Sequence, residues 1–224
     1  MKFALGIGLA VALAVPAFAS PVVHDSYGSF ASIDLHQGSA GGGGAVAAAR
    51  SDINNVFDGN ANTIYSLGFG GYADFAIAPT TNVITSGSVI ELTNLGSTHR
   101  EQAQLWLGDG TSWTLIGEIF NSQSVGGANA TTVDATIASL SFSASGANTS
   151  YTLTVGTGVF NALRLVDTSP LAGQGTNAYD GFDIAELQVT SVAGTVTTVP
   201  EPASLALFGA GLLGLGLIRR RTAA

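Results

Sequence analysis

The chain contains no cysteine, which rules out a disulfide framework, a thiolate metal site and a cysteine nucleophile. Its stability must come from packing. Charge is nearly as scarce, at 10% of residues, and basic charge is scarcer still. Lys2 and Arg219–Arg221 lie in the terminal segments, leaving only Arg50, Arg100 and Arg164 between them, against fourteen acidic side chains and a net charge of −11 there. A surface of that sign repels phosphate backbones, and no basic stripe counters it, so nucleic-acid binding is excluded. No Gly-x-Ser-x-Gly elbow, His-Glu-x-x-His or phosphate loop occurs, and each of those enzyme classes goes with its motif. The three histidines, His24, His36 and His99, are scattered. Before the C-terminal tail no window of ten or more residues shows an amphipathic helical period.

What the chain does have is apolar content, at 46%, and 30 glycines. The first 19 residues carry a basic start (Lys2), an apolar run to Val15 and a small-x-small Ala17-Phe18-Ala19 step, the layout of a secretory signal peptide. At the other end Ala203–Ile218 is apolar except for Ser204. As a helix it would span about 24 Å, slightly short of a hydrocarbon core of about 30 Å. Gly209, Gly211, Gly214 and Gly216 suit a membrane helix, and Arg219, Arg220 and Arg221 suit a cytoplasmic stop. Pro200 and Pro202 keep the segment before it extended. We therefore expect an exported chain with one short C-terminal transmembrane helix.

Val199-Pro200-Glu201-Pro202, the Gly-rich apolar run and Arg219-Arg220-Arg221 together resemble the PEP-CTERM sorting signal of Gram-negative bacteria. The resemblance implies processing by an exosortase, a membrane protease that recognises Pro200-Glu201-Pro202. It also implies membrane contact through the helix before processing. The expected destination is the cell envelope or extracellular matrix, where carriers of this signal accompany exopolysaccharide and biofilm.

Between the ends, short β-rich runs alternate with turn residues: Ser88–Leu92, Gln104–Leu107, Trp113–Phe120, Leu140–Ala144, Tyr151–Val155, Ala162–Val166 and Ile184–Ser191. Gly108-Asp109-Gly110 marks a hairpin turn. Short strands at even spacing point to an all-β jelly-roll β-sandwich. The expected organisation is 1–19 signal peptide, 20–45 flexible Gly-rich segment, 46–191 sandwich domain, 192–198 linker and 199–224 sorting signal.

The stretches Asn54–Ser66, Gln104–Ile119 and Gly181–Val189 resemble the discoidin, or F5/8 type C, galactose-binding-like jelly roll. In this sequence Tyr65 stands where that family usually has tryptophan. The resemblance implies one structural Ca²⁺ between the early loop and the last strand. Carried over residue by residue, it would be held by Asn55 (backbone), Asp58, Asn60, Thr63, Ala185 (backbone) and Glu186. The residues alone leave open an ordinary Asp58-Gly59-Asn60 turn and a solvated Glu186. Asp167, Asp180 and Asp183 form a second acidic group, which suits either turn capping or a second cation.

A sugar site would need aromatic faces at a rim, and Tyr65, Tyr72 and Tyr179 stand in loop-like contexts. Trp113 reads as core, while the placement of Trp106 depends on strand register. Glu91 and Glu101 are the carboxylates a glycosidase reading would use. The expected function is non-catalytic recognition of exopolysaccharide or another surface glycan. The alternatives are a structural surface or matrix protein without a specific ligand and, third, a carbohydrate-active enzyme.

Overall fold

Alternation of apolar and polar side chains decides most of this fold. In a strand successive residues point to opposite faces, so a period of two buries one face and wets the other. Tyr72–Ile77 shows it plainly: Ala73, Phe75 and Ile77 are buried and Tyr72, Asp74 and Ala76 are not. The computed structural model describes residues 20–92, 101–121, 128–145, 148–170 and 180–194. The expected signal peptide, the sorting-signal residues Pro200, Glu201, Pro202, Arg219, Arg220 and Arg221, and Tyr179 lie outside these described residues.

Twelve strands fall among them: β1 (Val22–His24), β2 (Phe30–His36), β3 (Tyr65–Ser66), β4 (Tyr72–Ile77), β5 (Asn82–Leu92), β6 (Glu101–Gly108), β7 (Trp113–Asn121), β8 (Asn129–Thr132), β9 (Ala138–Ser145), β10 (Asn148–Val155), β11 (Ala162–Asp167) and β12 (Asp183–Ala193). The first sheet runs β1-β12-β5-β10-β9, with β3 also paired to β12. The second runs β2-β4-β11-β6-β7-β8. All the pairings are antiparallel, as the jelly-roll reading expects. The core between the sheets contains Phe75, Ile84, Leu105, Leu107, Ile119, Tyr151, Leu163, Leu165, Phe182 and Leu187. All of it lies in one compact unit that ends at Ala193.

The hairpin signal holds. Asp109 follows β6, and its carboxylate accepts hydrogen bonds from the Thr111 and Ser112 amides and hydroxyls at 2.8–3.0 Å. Those bonds hold the Asp109 carboxyl below the usual carboxylate range.

The expected flexible segment at 20–45 is corrected. Its glycines concentrate in 41–44, but 22–24 and 30–36 are strands of the two sheets. Phe30 enters the core, and Ile33 and Leu35 pack against it. A register shift between Phe30 and Ser32 breaks the alternation, which hides this strand in the sequence. His24, expected in that flexible approach, is 1% exposed. Its ring nitrogens bond Ser29 O at 2.7 Å and Ser191 Oγ at 2.8 Å, tying the N-terminal strand to β12.

Candidate functional site

The early loop is built by side chains that bond to nearby backbone. Asp52 caps the 3-10 turn Ile53–Phe57 by accepting the Asn54 amide at 3.0 Å. Asp58 accepts the Asn60 amide at 2.8 Å, and the Thr63 hydroxyl lies 2.6 Å from its second oxygen. Gly59 between them has φ +69°, a left-handed conformation that glycine adopts without strain. Val56 anchors the turn in the core at 1% exposure, so the acidic tip is fixed while its oxygens stay at the surface.

That loop walls an open cleft of about 600 Å³. Ser88 and Ile90 of β5 and Glu186 and Gln188 of β12 lie beneath it, on the outer face of the first sheet, and Phe57, Asp58 and Asp25 border it. The cleft therefore joins the early loop and the last strand, and places Asp58 and Glu186 in one lining. Pairing of β12 with β5 shifts register between Ile184 and Glu186, which takes the Ala185 backbone out of the regular ladder beside the cleft. Two carboxylates, a hydroxyl, an amide side chain and loop carbonyls are the hard oxygen donors Ca²⁺ takes. The Asn55 amide nitrogen donates to Ala49 O and Ile64 O at 3.1 and 2.8 Å, leaving its backbone as the group to consider. Among the described residues no group of three or more His, Cys, Asp and Glu is arranged to hold a metal. A cation here would thus lean on carbonyl and hydroxyl oxygens beside two carboxylates.

Of the aromatic candidates, Tyr65 and Tyr72 are not at this cleft. Tyr65 is 2% exposed and part of the core, so its ring face is closed to a ligand, and burial pushes its phenol pKa up. Tyr72 is half-buried on the second sheet. Its ring stacks on His36 at 5.4 Å, and the Arg164 guanidinium lies 5.0 Å from its centre. Arg164 also covers the Trp113 ring at 4.2 Å and grips Asp74 with two bonds of 2.6 Å. Trp113 is accordingly half-buried on the outer face, not in the core. Trp106 is half-buried in β6, opposite Arg164 in the β11 ladder.

The acidic residues separate by environment. Asp167 accepts the Gly70 and Phe182 amides at 3.1 and 2.8 Å and the Ser169 hydroxyl at 2.7 Å, which clamps three segments together. Asp180 pairs with Arg50, and Asp183 lies 3.7 Å from the same guanidinium. Asp183 couples on to Glu101, and Glu101 to Glu91 by a carboxyl–carboxyl hydrogen bond. The second Glu91 oxygen takes the Tyr151 hydroxyl at 3.0 Å, and Asn121 also donates to this carboxyl. Burial, reinforced by neighbouring acids, pushes the Glu91 and Asp183 pKa values well above the carboxylate range. Four carboxyls that are at most 5% exposed thus form one cluster, in which Asp180 and Asp183 face the Arg50 guanidinium. The sequence shows Asp167, Asp180 and Asp183 as one group. The structure divides them and adds Glu91, Glu101 and Arg50 from distant strands and turns. Arg50 carried one signal, its rarity as a basic residue in the middle of the chain.

No curated protein matches the chain. Among solved structures it is similar to the CBM32-3 module from a family 31 glycoside hydrolase of Clostridium perfringens, with 15% identity over 76% of this chain and 94% of that one, at a TM-score of 0.42. It is also similar to the family 32 carbohydrate-binding module of C. perfringens NanJ in complex with galactose: 13% identity, 71% and 92% coverage, TM-score 0.38. A third is the CBM32 of AlyQ in complex with 4,5-unsaturated mannuronic acid, with 16% identity, 71% and 94% coverage and a TM-score of 0.36. None of the three assigns a ligand to this chain. Residues 198–221 match the PEP-CTERM protein-sorting motif, the mark of an exported, cell-envelope-associated protein that an exosortase processes.

Proposed function

We propose that this domain is a non-catalytic recognition module of the cell surface or extracellular matrix, binding a glycan or matrix polymer in the cleft on the first sheet. The make-up of that cleft carries the reading. Its volume of about 600 Å³ falls in the range of small-ligand sites, which combine apolar lining with a few convergent polar groups. Phe57 and Ile90 offer apolar contact to the C–H face of a sugar ring, and Ser88, Gln188 and the carboxylates offer hydrogen bonds to its hydroxyls. Asp25, Asp58 and Glu186 disfavour a bare polyanion there.

Ca²⁺ belongs to the same proposal. Asp58 and Glu186 would hold it with Asn60, Thr63 and the backbone oxygens of Asn55 and Ala185, stiffening the loop that walls the cleft. Before processing, the apolar run 203–218 would anchor the chain transiently in the inner membrane of a Gram-negative bacterium, with Pro200-Glu201-Pro202 presented to the exosortase. A glycosidase reading is disfavoured by Glu91 and Glu101, whose exposures of 0% and 3% keep them from a polymer.

Sedimentation with the producer's own exopolysaccharide, in calcium and in chelator, tests the proposal. Calcium-dependent co-sedimentation is expected, together with its loss in Ser88→Ala and Gln188→Ala variants whose melting temperature is unchanged. Absence of binding by the folded protein overturns the reading in favour of a structural matrix protein. Release of soluble sugar overturns it in favour of an enzyme.

A further inference from the structure

Each sheet of an open sandwich has two edges, and an edge strand presents unpaired N–H and C=O groups to any strand that approaches. Three of the four edges here are blunted. β1 has three residues and β8 four, and β2 carries Asp34, His36 and a register shift. β9 is different. It has eight residues, Ala-Ser-Leu-Ser-Phe-Ser-Ala-Ser, in unbroken register with β10, without charge, proline or bulge. From 135 to 163 no residue is charged or a histidine, in a chain whose middle region carries −11. Two copies can meet along this strip without like-charge repulsion.

The ladder also says which backbone groups are free. The Leu140 amide points away from β10, because it donates to Thr132 Oγ1 at 3.0 Å. In an antiparallel ladder alternate residues share that direction, so Phe142 and Ala144 present their N–H and C=O to the open edge. Phe142 shares the inner face with Tyr151 yet is 45% exposed, an apolar side chain left without cover at the end of the strand.

We propose that β9 pairs antiparallel with β9 of a second copy about a two-fold axis through Ser143, joining the two six-stranded first sheets into one of twelve strands. In that register Phe142 of each copy exchanges two hydrogen bonds with Ala144 of the other, using only the free groups. Leu140, whose amide Thr132 already holds, stays outside the contact. Phe142 of each copy packs beside Ala144 of the other on the inner face. Directly opposed residues lie on one face of a sheet, so the axis is perpendicular to the sheet and both clefts open on the same side. That consequence for polymer binding rests on the cleft reading; the pairing does not.

The absence of cysteine makes the test clean. Ser143 faces its own copy across a non-hydrogen-bonded position, where Cα atoms stand about 4.5 Å apart, inside the roughly 4.4–6.8 Å of a disulfide. In the full chain, held in a thiol–disulfide buffer, Ser143→Cys should form a covalent dimer on the order of tenfold faster than Ser141→Cys. Ser141→Cys should cross-link instead when mixed with Ser145→Cys, its opposite in this register. Adding Ala144→Pro, which removes an outward N–H and no bond to β10, should abolish the Ser143→Cys dimer while leaving the melting temperature unchanged. Equal rates at 141 and 143, no dimer at 143, or a dimer insensitive to Ala144→Pro overturns the proposal.

Discussion

Replacing Arg50 with methionine removes the guanidinium that faces Asp180 and Asp183. Its Nη1 bonds Asp180 and lies 3.7 Å from Asp183, whose side chain is 1% exposed. At an effective dielectric constant near 20, a pair at that distance interacts by on the order of 4 kcal/mol. Leaving a buried charge unpaired typically costs about 3–5 kcal/mol. Because the Arg50 side chain is 27% exposed, solvent screens part of this, and about 3 kcal/mol at pH 8 is the expected loss. The loss should shrink in acid. Burial already raises the Asp180 and Asp183 pKa values against the pull of Arg50, and without Arg50 they rise further. A carboxyl with a raised folded pKa contributes stability that is fully present below its unfolded pKa. That contribution is lost as pH climbs through the folded value, at no more than about 1.4 kcal/mol per pH unit per group. Stability of Arg50→Met should therefore fall from about pH 4 upward more steeply than that of the parent. Urea unfolding at pH 5, 6, 7 and 8, followed by the fluorescence of Trp106 and Trp113, measures it. An equal cost at pH 5 and pH 8 would show that these carboxyls do not exchange protons in response to Arg50, and the account of the cluster would fail.

Arg164→Lys should cost about 1–2 kcal/mol in thermal unfolding despite keeping the charge, because an ammonium cannot reproduce the forked bonds to Asp74 or the contact with the Tyr72 and Trp113 rings; a neutral outcome would reduce that array to solvated surface. Calcium at about one hundred times its dissociation constant should stabilise the parent by about 2.7 kcal/mol and do nothing for Asp58→Ala or Glu186→Gln. Equal melting in calcium and EDTA for the parent would remove the ion from the site. Gly117→Ala puts a Cβ against Thr131 O and 2.7 Å from Leu140 Cδ1, so it should lower stability by about 1–3 kcal/mol through overpacking, and a melting temperature equal to the parent's would refute that contact.

How much of this was legible depended on whether a local pattern matched the tertiary outcome. The hairpin at Gly108–Gly110 could be read because its turn chemistry is local: Asp109 bonds residues two and three positions on. The Asp58 loop could be read for the same reason, as could the later strands with dense Val, Ile and Leu. β2 and β4 escaped because small and polar residues dilute them, and Phe30 declares itself only when Phe57 and Phe75 close around it at 5.5 and 5.6 Å. Tyr65 read as a rim residue because its flanks look like loop, yet the two-residue strand β3 pairs with β12 and turns its ring inward. The cleft pairs residues about 130 positions apart, Asp58 with Glu186. Only the family resemblance joined those two in advance, and no local pattern placed Ser88 or Gln188 beside them.

The acids also explain how a chain so poor in basic residues can assemble. The net of −11 counts every carboxyl as ionised and on the surface, and neither holds. Glu91, Glu101, Asp167, Asp180 and Asp183 are at most 5% exposed, and the hydrogen bond between Glu91 and Glu101 needs a proton on one of them. Asp74 is neutralised by Arg164, and Asp180 by Arg50. Asp25, Asp58 and Glu186 concentrate at the cleft. The strip 135–163 is left with none, so the repulsion between two copies at that edge comes from distant charges, which physiological salt screens over about 8 Å. Scarcity of charge, which in the sequence reads as an absence, becomes in the fold a division of place: carboxyls inside that tie strand ends together, carboxyls that line the cleft, and one long edge without charge.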